Sequence, residues 1–266
     1  MKPLIRFIES IFGPLPHQRG SLDSHVNYCA SAAGRSGRLE LQKVRSSELC
    51  EKSGVDTTRI CFISDSHGLH GLIDALPPSC DLLVFCGDMF FKGRTCTNEE
   101  GLNMLVDFNN WVKKFNIKTI VIGGNHDYHI EKFGRERVKE ILSNCIYLMN
   151  ESVTIRNINI YGTPYSAPGS LNRAFQDENT RNQAIEDINS NKYDLVVSHS
   201  NQIYKWVKML PKVCAFGHFH RMYGAYQQSG DEGAASNDTA LFICSSILDA
   251  NYCLTNHPIV YDLQSV

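Results

Sequence analysis

The sequence predicts an α/β fold in which a largely parallel central sheet carries a second sheet packed against it. Three observations point there. Short β-branched or apolar runs recur, "RICFIS", "DLLVFCG", "KTIVIGG", "DLVVSH" and "VCAFGH", each of the length expected for a strand buried on both faces. A segment of helical period separates the second run from the third. Later runs follow one another with few helices between them, as strands of an additional sheet do.

Taken in order, the first 57 residues differ from the rest. "PLIRFIESIF" has the spacing of a short amphipathic helix, but Arg6 and Glu9 interrupt any signal-peptide core, and the stretch through "SAAGRSGR" is rich in Ser, Gly and Arg without period. Residues 1–57 are therefore expected to be a poorly ordered extension, and 58–266 the folded domain. Arginine outnumbers acids up to Arg38, which leaves organelle targeting open beside a cytoplasmic location.

From Arg59 onward strands and helix alternate. "RICFIS" and "DLLVFCG" precede "NEEGLNMLVDFNNWVKKF", where Leu102, Leu105, Phe108, Val112 and Phe115 recur at helical spacing, and "KTIVIGG" follows. That alternation implies right-handed crossovers and parallel pairing. "ESVTIRNINIYG", "MYGAYQQSG", "TALFICSS" and "PIVYDL" are assigned to the second sheet.

Composition narrows the function. A chain of 266 residues buries a full core and fits one larger domain better than two small ones. A formal net charge of −2 leaves no basic field for a polyanion, which argues against extended nucleic-acid binding but not against a small anionic substrate. Ten cysteines form no CxxC pair, and Cys61, Cys86, Cys214 and Cys244 sit inside apolar runs. They read as buried thiols of a reducing compartment. Apolar stretches such as "DLLVFC" fall far short of the roughly 18 residues of a membrane span, so the chain reads as soluble.

Each buried run ends in polar side chains. "SDSH" supplies Asp65 and His67, "GD" supplies Asp88, and "GNHD" supplies Asn125, His126 and Asp127; the later runs end in His199 and in the His218 and His220 of "GHFH". Carboxyl ends of strands in open α/β sheets converge on one crevice. Alone, "DSH" or "GD" is as readily a chance loop, and "GHFH" is as readily two histidines on opposite faces of a strand. In order, and each at a strand end, they make a metal site of Asp65, His67, Asp88, Asn125, His199, His218 and His220. Mixed oxygen and nitrogen ligands suit first-row divalent or trivalent ions rather than calcium, and the lack of a thiolate argues against a structural zinc site. Seven ligands overfill one ion that keeps a place for substrate, whereas two ions sharing a carboxylate about 3.5–4 Å apart use them all.

"SDSHG", "GDMFFKG", "GGNHD", "VSHS" and "GHFH", in this order over residues 59 to 263, resemble the calcineurin-like metallophosphoesterase superfamily. Within it the pattern is most similar to metallophosphoesterase-domain proteins related to class III cyclic nucleotide phosphodiesterases. The resemblance implies a four-layer α/β/β/α sandwich of two mixed sheets and two metal ions (Mn, Fe, Zn or Mg, with Mn favoured). One ion falls to Asp65, His67, Asp88 and His220, the other to Asp88, Asn125, His199 and His218, with Asp88 bridging. A hydroxide between the ions then attacks phosphorus in line, and His126 protonates the leaving oxygen. Asp127 either orients His126 or caps the helix that follows.

Three neighbours are candidates for the substrate. Arg94 has the chemistry to clamp a phosphate oxygen, His70 to line the pocket mouth, and Tyr165 with the loop "YSAPGSLNRAFQDENTRN" to form a substrate wall; solvated or plain surface roles compete with each. His199 is followed by "SNQIYKW" where many of the nearest relatives carry glycine and two prolines, so the adjacent wall is shaped differently. "GDMFFKGRT" lacks the acidic-Arg-Gly pattern of protein Ser/Thr phosphatases. The expected function is a dinuclear phosphohydrolase, phosphodiesters such as cyclic nucleotides ahead of small phosphomonoesters. A non-catalytic protein-binding scaffold of the same fold is the competing reading.

Overall fold

The structure is a computed structural model and describes residues 24–30, 37–52, 54, 56–91, 95–169, 172–229 and 239–264. Two seven-stranded mixed sheets form its centre. The first takes β1 (His25–Cys29), β3 (Gln42–Arg45), β4 (Thr57–Ile63), β5 (Leu82–Phe85), β6 (Lys118–Val121), β7 (Ile146–Tyr147) and β14 (Ile259–Gln264), in the order β3-β1-β14-β4-β5-β6-β7. β4 to β7 run parallel, and β14 pairs antiparallel with β4, Val260 opposite Cys61. The second takes β2 (Gly37–Arg38), β8 (Glu151–Ile155), β9 (Ile158–Thr163), β10 (Leu195–Ser198), β11 (Val213–Phe216), β12 (Gly224–Ser229) and β13 (Thr239–Cys244), in the order β2-β12-β13-β11-β10-β9-β8. Here β9, β10, β11 and β13 are parallel.

The period of a strand decides what lies between the layers. Along β4, Cys61 and Ile63 point to one side, with Leu105, Phe108 and Trp111 of α1 (Asn98–Lys113). Ile60 and Phe62 point to the other, with Ile160, Val197 and Ala215 of the second sheet. On the far face of that sheet, Ala184 and Ile188 of α4 (Glu178–Ser190) pack with Tyr161, Val196 and Phe242. Helix, sheet, sheet and helix are thus four layers. Helix α1 begins with a capping box: Thr97 Oγ1 accepts from the Glu100 amide at 3.2 Å while the Glu100 carboxylate accepts from the Thr97 amide at 2.7 Å. Two short helices, α2 (Tyr128–Phe133) and α3 (Arg135–Ile141), follow β6.

Three expectations are corrected. The five motif-bearing runs do not share one sheet: β4, β5 and β6 lie in the first, β10 and β11 in the second. "PIVYDL" joins the first sheet rather than the second, because Ile259 and Val260 find apolar partners on either side of β4. Residues 1–57 are not uniformly a poorly ordered extension, since β1 and β3 extend the first sheet and β2 the second, with Val26 and Cys29 buried. The proposed helix at 3–12 lies outside the described residues. Among the described residues, no helix is long and apolar enough to cross a membrane.

Candidate metal centre

At their carboxyl ends the strands of both sheets turn sharply. Asp65 (φ 53°), His67 (φ 44°), Asp88 (φ 57°) and His218 (φ 66°) all adopt the left-handed backbone conformation, which costs about 1–3 kcal/mol at each non-glycine residue and persists only where the surroundings enforce it. Backbone bonds between the loops enforce it here: the Asp65 amide donates to the Gly87 carbonyl at 2.9 Å and the His67 amide to the Asp88 carbonyl at 3.1 Å. Gly124 has no room for a side chain, since a Cβ there meets Asp88 Oδ1 at 2.3 Å.

The structure brings all seven predicted ligand residues together in the crevice between the two sheets. His67 Nε2 lies 3.4 Å from His220 Nε2 and 3.9 Å from Asp88 Oδ2, and His220 Nε2 lies 3.5 Å from Asp65 Oδ1. Across Asp88, His199 Nε2 is 3.2 Å from Asp88 Oδ2 and 3.0 Å from Asn125 Oδ1, an oxygen that His218 Nδ1 approaches to 2.8 Å. Asp65, His67 and His220 form one compact donor group, Asp88, His199 and His218 a second, and His67, Asp88 and His126 a third that links them. Asp88 sits between them.

Whether a cation fits is decided by the far sides of the rings. His67 Nδ1 faces the Phe90 carbonyl at 2.9 Å, His199 Nδ1 the Cys86 carbonyl at 2.8 Å and His220 Nδ1 the Asp249 carbonyl at 2.9 Å. A carbonyl only accepts, so each Nδ1 carries a proton and each Nε2 turns inward, where it offers a lone pair to a cation once the ring is neutral. His67 Nε2 faces His220 Nε2 beside two carboxylates, and although burial pushes His220 down, Asp65 raises it, so the place between the rings attracts positive charge that a proton on His220 or a cation supplies. Without a cation the rings differ in charge. Burial pushes His199 down, but the Asp88 carboxylate outweighs it and raises the group to about 9. Burial pushes His67 down to about 3 and His218 down to about 4, leaving both neutral. Asp88 is held well below the usual carboxylate range against its burial, His199 being the largest of the groups that lower it.

His126 stands at the rim of this cluster. Its ring meets that of His67 edge-on at 4.5 Å, its Nδ1 donates to the Phe91 carbonyl at 2.8 Å and its backbone amide donates to Asp88 Oδ1 at 2.8 Å. The Asn172 amide nitrogen lies 3.0 Å from its Nε2 and 3.2 Å from its Nδ1.

Other expectations change. Asp127 neither touches the His126 ring nor caps α2 with its side chain; its carboxylate accepts the backbone amides of Asp88 at 2.9 Å, Phe90 at 3.0 Å and Gly124 at 2.8 Å. It locks the "GD" loop to the "GNHD" loop, and is a positioning residue. His70 is buried, bonded to Asp107 at 3.0 Å and edge-on to Phe108 and Trp111; it wedges a turn against α1 instead of lining the mouth. Tyr165 is buried in the core under α4, although its loop does reach the site through Asn172. Arg94 lies outside the described residues. Sequence reading missed Asn172, and also Tyr252, whose ring lies 5.0 Å from His67 and 4.9 Å from His220. Neither belongs to a strand-end motif, and no spacing marks them.

Comparison with known proteins agrees with this geometry. The family model described as calcineurin-like phosphoesterase matches residues 58–244. Metallophosphoesterase domain-containing protein 1 of Homo sapiens is 26% identical over 253 residues, covering 77% of this chain and 71% of that protein. A UPF0046 protein of Caenorhabditis elegans, T07D4.2, is 25% identical over 261 residues, covering 78% of this chain and 60% of its own length. One solved crystal structure, 13% identical, aligns over 79% of this chain and all of its own with a TM-score of 0.52, a likeness of fold. With a match spanning most of its length and the full donor set in its crevice, the chain belongs to the calcineurin-like phosphoesterase family.

Proposed function

We propose that the chain is a dinuclear metal-dependent phosphohydrolase acting on small phosphodiesters, cyclic nucleotides among them. The observation that carries this reading is the pair of donor groups linked through His67 and Asp88, with the outer nitrogens of three histidines fixed by carbonyls. Asp65, His67, Asp88 and His220 would hold one cation, and Asp88, Asn125, His199 and His218 the other. Bound cations of this kind, manganese being the first to supply, lower the pKa of coordinated water and neutralise charge developing on phosphoryl oxygens.

The chain's own residues do the rest. With Nδ1 donating to the Phe91 carbonyl, His126 presents Nε2 to the leaving-group oxygen and, when that nitrogen also carries a proton, delivers it there; Asn172 packs beside the ring. Asp127 holds the two loops that carry Asp88 and Asn125. Residues 58–264 are the catalytic unit, with the N-terminal strands bracing it. Buried free thiols such as Cys61, Cys86 and Cys214 suit a reducing, cytoplasmic setting.

The test is hydrolysis of 3′,5′-cyclic AMP, bis(p-nitrophenyl) phosphate and p-nitrophenyl phosphate with added manganese. Diester turnover is expected, abolished in Asp88→Ala and lowered about 10²–10³-fold in kcat in His126→Ala, with the manganese-induced rise in Tm kept in the latter. Cleavage of the monoester alone removes the diester preference. No turnover of any of the three removes the hydrolase reading.

A further inference from the structure

Beside the metal centre stands an aromatic group that no step above uses. Tyr252 is 42% exposed, one of four large apolar side chains so open among the described residues, and it alone of the four lies against the donor cluster. Its ring is 4.9 Å from His220, 5.0 Å from His67 and 5.5 Å from Phe91, meeting Phe91 edge-on at 88°. Phe91 in turn meets His67 edge-on at 5.8 Å. The two rings make a corner over the side of the crevice bounded by Asp65, His67 and His220.

The backbone under Tyr252 is built to hold it there. Tyr252 has φ 59°, a conformation that an aromatic residue adopts only under constraint. Asp249 supplies the constraint: its Oδ1 accepts the amides of Asn251 at 2.8 Å and Cys253 at 3.0 Å, its carbonyl accepts the Tyr252 amide at 3.0 Å, and its amide donates to the Cys253 carbonyl at 2.9 Å. The Asp249 carbonyl also accepts from His220 Nδ1 at 2.9 Å. One residue thus sets both a donor ring of the metal centre and the open aromatic ring above it, so the distance between them is fixed. The ring packs on His67, His220 and Phe91, and its open part, held beside the donor cluster, is free to meet a ligand.

We infer that Phe91 and Tyr252 form a subsite that stacks on a planar aromatic group, a nucleobase or an aryl ring, attached to the phosphoester held below. The inference rests on the phosphohydrolase reading and narrows its substrates to aromatic or nucleoside esters. Stacking of a base on an aromatic side chain is worth about 1–3 kcal/mol, a preference of roughly five- to 150-fold over the same phosphate without the base.

The experiment is equilibrium binding, by calorimetry, of adenosine 5′-monophosphate and ribose 5-phosphate to the manganese-loaded full chain. Wild type is expected to bind the nucleotide about tenfold or more tightly. Tyr252→Ala is expected to bring the ratio close to one, and Tyr252→Phe to keep it. Tyr252→Gly, which relaxes the left-handed turn, removes the ring without straining the fold and is expected to match Tyr252→Ala, each variant retaining its manganese-induced rise in Tm. Equal affinity of wild type for the two ligands, binding of neither, or an unchanged ratio in both Tyr252→Ala and Tyr252→Gly overturns the subsite. Turnover of bis(p-nitrophenyl) phosphate by the same preparation reports separately on the hydrolase: turnover without a binding preference sinks the subsite alone, and a binding preference without turnover sinks the hydrolase alone.

Discussion

At the residue scale the site is a balance between proton and metal. In the metal-free protein His67 and His218 titrate at about 3 and about 4 because burial disfavours their charged forms, whereas in the unfolded chain both return to about 6.5. The unfolded state therefore takes up protons first, so this contribution to stability is complete above about pH 6.5 and is lost as pH falls toward 4. His199 has the opposite sign. Its folded value of about 9, set by Asp88 against burial, contributes stability below about pH 6.5 that disappears as pH rises through 9. Thermal melts of metal-free protein should give the highest Tm near pH 6.5–7, with an alkaline decline that His199→Gln flattens. A Tm still climbing from pH 7 to 9 in wild type would contradict the protonated His199. A cation bound there would displace that proton, so the affinity measured for manganese is expected to rise over the same alkaline range.

At the element scale, loops are held to loops by groups that are not ligands. Asp127 gathers three buried amides from two strand ends. Asp127→Ala leaves those donors without partners, a cost of about 3 kcal/mol or more, and a fall in Tm of roughly 10 °C follows. Because Asp88 and Asn125 ride on the loops so released, the manganese-induced rise in Tm should shrink too. A variant that melts like wild type would show that water or neighbouring oxygens satisfy the three amides. His129 has a related structural part: its ring fills the space above Gly101 of α1, where a Cβ would meet the ring at 2.4 Å. That contact is why a glycine stands inside an otherwise well-formed helix, in spite of a cost near 1 kcal/mol.

At the scale of the whole molecule, the N-terminal segment completes the sheets. β1 lies between β3 and β14, Asn27 Nδ2 donates to the Tyr223 hydroxyl at 2.5 Å, and the Arg38 guanidinium donates to the Tyr223 carbonyl at 3.0 Å. Deleting residues 1–49 uncovers the edge of β14, whose unpaired amides and carbonyls invite association. The truncated chain should melt at lower temperature and scatter light on concentration, while still binding manganese, since every donor of the centre lies C-terminal to the cut. Unchanged Tm and a monomeric elution profile would show the segment to be dispensable. Opposite the site, Arg59 and Asp262 join β4 to β14 through two 2.7 Å bonds with Arg59 only 1% exposed, closing the first sheet where the crevice does not.

By itself the sequence determined the strand runs, the amphipathic α1 and the polar residues at the strand ends, because apolar periodicity and a polar residue after each run are local facts that need no partner to be read. Tertiary structure alone decided which sheet each strand joins: β10 and β11 are as apolar as β4 and β5, and only packing across the middle layer separates them. Asp127 shows the same division, a residue named in a motif whose partners, the amides of Asp88, Phe90 and Gly124, are set by how two loops meet. His70 was drawn to the site by its nearness to His67 in sequence and taken from it by Asp107, 37 residues away. Asn172 and Tyr252 stand 46 and 185 residues from the histidines they face, His126 and His67, and contacts at such separations are made by the fold, where no spacing can announce them.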